Sequence, residues 1–198
     1  MKAIIFATLE EAEPFVQDYK RGRFSGVAEG ETLHDDDYLV SVTGQGKIKG
    51  ALRTERLLRQ FRPSEILHVG TCTTLVDAHK VGRLFAPSQV FEGDRIELSA
   101  PTYPRMPLAT PYDDLPSGTL VTQDHTVSGS SELTYWQRIA DASDMTGYAV
   151  AYVAATHGIP CSIVKVISGR MGVEDNNFRK TLADAHTTLA RFLAAKLG

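Results

Sequence analysis

Between Met145 and Gly169 the chain changes its hydrophobic period, and that change limits the folds open to it. Tyr148-Ala149-Val150-Ala151 opens a helical stretch that stops at Gly158, with Pro160 just beyond. Ile163-Val164-Lys165-Val166-Ile167 then reads as a strand covered on both faces. A helix feeding a buried strand is the late half of a crossover, and the end of such a strand is expected to face a ligand.

The rest of the chain repeats this alternation. Residues 3–7 read as a first strand, followed by Thr8-Leu9-Glu10-Glu11 at capping-box spacing, with Pro14 either restarting the helix or kinking it. Residues 23–28 and 38–43 read as a hairpin-like pair around Asp35-Asp36-Asp37, a solvated turn. A helix with apolar positions Ile48, Ala51, Leu52, Leu58 and Phe61 ends at Arg62-Pro63, and the strand 65–70 follows. Further strands fall in 83–93 and 119–123. Between them, five prolines in 101–118 exclude helix or central strand and suggest a lid or an interface arm. A last helix carries Phe178, Leu182, Leu189 and Phe192 on one stripe. The pattern predicts one α/β domain over 1–198, without repeats.

Composition removes several classes of function. A net charge of −3 with scattered Lys and Arg offers nucleic acid or an acidic membrane no footprint. The apolar run near Met1 is far shorter than the roughly 20 residues of a membrane span, so a cytoplasmic protein is expected. Cys72 and Cys161 have no partner at metal-ligand spacing and read as buried thiols; no metal and no cofactor is expected. Gly44-Gln45-Gly46-Lys47, between a strand and a helix, could present backbone N–H groups to a polar ligand, or could be a tight turn. Its spacing alone also fits a dinucleotide loop, but no acidic residue closes the next strand.

Several of these segments, in order, resemble the nucleoside phosphorylase and nucleosidase family. They are Met1 to Glu13, Ser41 to Lys47, His68-Val69-Gly70-Thr71, Val81-Gly82-Arg83-Leu84, Thr122-Gln123-Asp124-His125, Asp144-Met145-Thr146 and Ile167-Ser168-Gly169. The resemblance implies a three-layer αβα fold, a central mixed sheet flanked by helices. The Gly-x-Gly-Lys form is similar to the hydrolytic branch, the methylthioadenosine and S-adenosylhomocysteine nucleosidases. It implies cleavage of an adenosine-like purine nucleoside with water as acceptor, in a homodimer.

The resemblance also implies roles. Active members carry Met-Glu on the late helix, where the Glu holds the ribose hydroxyls, and Ile-Ser-Asp on the last strand, where the Asp protonates the leaving base. Those positions here are Thr146 and Gly169. The family's water-activating Glu falls, without a gap, on Ala12, so Glu11 or Glu13 becomes the candidate base and His125 the candidate acid. Gly46, Thr71, Thr126, Val127, Asp144, Met145, Thr146, Ser168 and Arg170 are the expected substrate contacts. A nucleoside-binding member without catalysis is the alternative, with a phosphorylase or a Rossmann oxidoreductase further behind.

Overall fold

The computed structural model describes residues 1–21, 23–24, 26–94, 103–127 and 129–197. The first strand, β1 (Lys2–Phe6), alternates Ile4 and Phe6 toward one face with Ala3 and Ile5 toward the other, so both faces must be covered. It lies parallel between β3 (Tyr38–Val42) and β4 (Glu65–Thr74). β10 (Cys161–Arg170) runs parallel to β4, with a register shift between Ile167 and Gly169 that leaves Ser168 as a bulge. Beyond β4, the strands β9 (Ala142–Asp144), β8 (Thr119–Thr122), β6 (Gln89–Glu92) and β7 (Arg105–Pro107) extend the sheet. β2 (Thr32–His34) closes the other edge, and β5 (Leu84–Phe85) pairs with β10.

Helices cover both faces, as the three-layer expectation requires. α1 (Leu9–Asp18) and α5 (Phe178–Leu197) pack Phe15, Val16, Leu189 and Leu193 on one side. α2 (Lys47–Phe61) and α4 (Gly147–Thr156) pack Leu57, Leu58, Val150 and Ala154 on the other. α3 (Ser130–Trp136) buries Trp136 against Phe91 and Val121. Burying a side chain of this size stabilises by roughly 1.5–3 kcal/mol, which is why the apolar runs dictate the layers. No described helix is long and apolar enough to cross a membrane.

Five details differ from the sequence reading. The hairpin around Asp35 to Asp37 forms, but its first strand is 32–34 rather than 23–28. Asp35 is buried rather than solvated, because its carboxylate accepts from the N–H groups of Asp37 and Tyr38 and from Tyr19 Oη. α1 continues through Pro14, so of the two alternatives the helix does not restart there. On α2, Ile48 and Leu52 point outward at 82% and 60% exposure, while Gly50 and Thr54 face inward. The proline-rich arm also packs on its own chain: Tyr103 meets Phe91 and Trp136, Met106 and Leu108 join the α2/α4 core, and Tyr112 meets Phe192. Pro101 of that arm lies outside the described residues.

Candidate active site

The C-terminal ends of β1, β4 and β10 converge on a cavity of about 790 Å³. Glu11 is among the residues that line it. Thr8 caps α1 by accepting from the Glu11 N–H at 3.3 Å, and Glu11, as the reciprocal half of the capping box, turns back toward the strand ends. Its Oε2 accepts from the N–H groups of Ala7 and Thr8, each at 3.2 Å. Its Oε1 accepts from Thr71 N at 2.7 Å and Thr71 Oγ1 at 2.9 Å. Gly70 permits this approach: a Cβ there would lie 2.7 Å from Oε1, and the residue's φ of +155° suits glycine.

Beside Glu11 lies a fully buried cluster of ionisable groups. Lys165 Nζ is 2.9 Å from Asp144 Oδ2 and 2.9 Å from His68 Nε2. His68 Nδ1 lies 2.9 Å from the Ile5 carbonyl, which can only accept; the ring therefore carries its proton on Nδ1 and accepts from Lys165 through Nε2. Asp144 also accepts from Thr122 Oγ1 at 2.6 Å and from Gly147 N at 2.9 Å, tying β8, β9 and the start of α4 to one carboxylate. Burial opposes charge on Asp144, but the ammonium and these donors hold its carboxyl far below the usual range. Burial, followed by the Lys165 charge, pushes the His68 imidazole down. Among these groups Asp144 and Lys165 reach the cavity wall.

The remaining candidates divide. Thr71, His125, Thr126, Met145, Thr146, Ser168 and Arg170 line the cavity with Glu11 and Asp144. Thr146 is buried and its Oγ1 accepts from Gly46 N at 3.3 Å, joining the starts of α2 and α4. Ser168 Oγ donates to the Cys72 carbonyl at 3.2 Å. Arg170 pairs with Asp77. His125 sits at the rim with Nδ1 3.0 Å from Asp94 and Nε2 2.8 Å from Glu132, and the two carboxylates raise its pKa. Asp94 is tied in turn to Lys47, which also meets Glu92 at 2.5 Å. The structure does not bring the others in. Glu13 is exposed on α1 with Gln17 as partner, Gly46 serves the helix start, and Val127 is packed in the core with Trp136. The helix register explains this: with Glu11 at the third helical position facing the strands, Glu13 is turned outward.

Sequence reading missed Lys165 and His68. A signal existed, since each interrupts an apolar strand covered on both faces, where a charge must find a partner. It also missed His186, a buried residue of α5 that lines the cavity with Glu11 and Glu10. Both cysteines are buried and unpaired, as expected. Among the described residues, no group of three or more His, Cys, Asp or Glu side chains is arranged to hold a metal ion.

Known proteins share this fold. The chain is 24% identical to aminodeoxyfutalosine nucleosidase of Helicobacter pylori over 219 residues, 96% of this chain and 94% of the relative. It is 23% identical to 5'-methylthioadenosine/S-adenosylhomocysteine nucleosidase of a Geobacillus strain, covering 89% and 88%. Among solved structures, the native futalosine hydrolase of H. pylori superposes with a TM-score of 0.82 at 21% identity, covering 99% and 96%. The H. pylori 5'-methylthioadenosine/S-adenosylhomocysteine nucleosidase with butyl-thio-DADMe-Immucillin-A superposes at 0.80 and 20%, covering 99% and 97%. The family model described as the phosphorylase superfamily matches residues 2–115 and 113–197. With that match spanning the strands and turns that build the cavity, the chain belongs to the phosphorylase superfamily.

Proposed function

We propose that this protein is a nucleosidase that hydrolyses the N-glycosidic bond of an adenosine-like purine nucleoside. The observation that carries the reading is the Glu11 carboxylate, held by four donors beside the cavity, in a chain whose relatives over nearly full length are nucleosidases. Hydrolysis needs a group to take a proton from water, an environment that tolerates a cationic sugar, and an acid for the leaving base. Glu11 takes the first role. Thr71, Asp144, Met145, Thr146 and Ser168 surround the sugar, and Thr126 and Arg170 lie toward the base. His125, whose pKa the Glu132 and Asp94 carboxylates raise, supplies the proton that Gly169 lacks. The cavity's cations are already neutralised, Lys165 by Asp144 and Arg170 by Asp77, which favours water over phosphate as acceptor.

A second reading has its own observation: Thr146 and Gly169 stand where a carboxylate could grip a diol or protonate a base, so the protein binds nucleosides without cleaving them. Adenine release from methylthioadenosine, followed with and without phosphate, decides between them. Phosphate-independent release is expected; binding without release would establish the second reading. We also propose that this hydrolysis takes place in the cytoplasm.

We further propose a homodimer. Its contact is the α2/α4 face, where Ile48 and Leu52 stand exposed beside Tyr152 at 48% exposure, rather than the proline-rich arm.

A further inference from the structure

Glu11 has no lone pair left for a water molecule. An ionised carboxylate offers about four acceptor positions on its two oxygens. Here Oε2 receives Ala7 N and Thr8 N, and Oε1 receives Thr71 N and Thr71 Oγ1. The residue is only 4% exposed, its carboxylate lies against the Gly70 backbone, and Thr71, which fills both acceptor positions of Oε1, lines the same cavity. Thr71 is half-buried and lines the cavity. Its hydroxyl spends its single proton on Glu11 and keeps lone pairs that can accept.

We propose that Thr71 Oγ1 is a catalytic relay: it accepts a proton from the attacking water as it passes its own to Glu11 Oε1. This rests on the hydrolytic reading. As the water oxygen forms its bond to the anomeric carbon, one water proton moves to Thr71 Oγ1. The Thr71 hydroxyl proton crosses 2.9 Å to Glu11. The bond between anomeric carbon and base nitrogen breaks with its electron pair on the base, which takes up a proton from His125 or solvent. Glu11 then returns its proton to solvent, so water and nucleoside give free sugar and base.

Three substitutions test this with methylthioadenosine as substrate. Thr71→Ser keeps the hydroxyl. Thr71→Val keeps the volume and the N–H bond to Glu11 but puts a methyl group where the hydroxyl was. Thr71→Ala leaves a gap in which a water can reach the carboxylate. The expected order of kcat is Thr, then Ser, then Ala, with Val lowest by about 100-fold or more at little-changed KM, the range typical of lost proton transfer. A merely structural Thr71 would reverse the last two, because valine fills the site and alanine empties it. Wild-type turnover should show a curved proton inventory in mixed light and heavy water, reflecting two protons in flight. A valine variant as active as the alanine variant, or a linear inventory, would overturn the relay and leave hydrolysis standing. A wild-type protein that releases no base would overturn the hydrolytic reading and the relay together.

Discussion

At the scale of single residues, the site depends on charges buried where water cannot help them. Lys165, Asp144 and His68 are 1%, 7% and 0% exposed, and they are tolerable because Lys165 bonds both of the others while Thr122, Gly147 and the Ile5 carbonyl complete the rest. His68 carries a testable consequence. Burial and the ammonium depress its pKa, so the folded protein stays neutral there while unfolded chains gain a proton below about pH 6.5. Stability should therefore fall as pH drops through that value, by up to about 1.4 kcal/mol per unit from this group. In urea titrations at pH 7.5 and 5.5, His68→Asn should lose less between the two than wild type. Gly169 carries another. A Cβ there meets nothing nearer than Phe178 at 4.0 Å, so a side chain can start from this position without a clash at its first atom. If a carboxylic acid at that point can reach the base, kcat on methylthioadenosine should rise by about 10²-fold or more. An unchanged rate would mean that proton delivery to the base is not what limits turnover.

At the scale of elements, the start of α1 links stability to the site. Thr8 both caps the helix and, through its N–H, holds Glu11. Thr8→Ala removes the cap oxygen but leaves that N–H. It should cost about 1 kcal/mol in thermal or chemical unfolding. Thr8→Pro, which deletes the N–H itself, should reduce turnover beyond any loss of stability. The capping box and the first strand were legible from the sequence because four adjacent residues set them. The first strand of the hairpin was not, since the pairing that selects 32–34 over 23–28 is made with β3.

At the scale of the molecule, the exposed pair on α2 marks where a second copy would sit. Light scattering should give twice 21.7 kDa for the wild type and the single mass for Leu52→Glu, with an unaltered far-ultraviolet spectrum. A wild-type monomer at micromolar concentration would rule the dimer out. By itself the sequence determined an α/β sheet with helices on its faces and the placement of Glu11, Thr71, Asp144 and Thr146 near strand ends, because hydrophobic period, caps and strand-end turns are local properties; the three-layer form came from the family resemblance. Only the tertiary structure decided that Glu11 rather than Glu13 enters the site, that Lys165 and His68 join Asp144, and that the arm's aromatic residues are covered. The physical reason is that each of these depends on partners up to about a hundred positions away, as His68 and Lys165 are, and no local pattern records which distant group satisfies a buried charge.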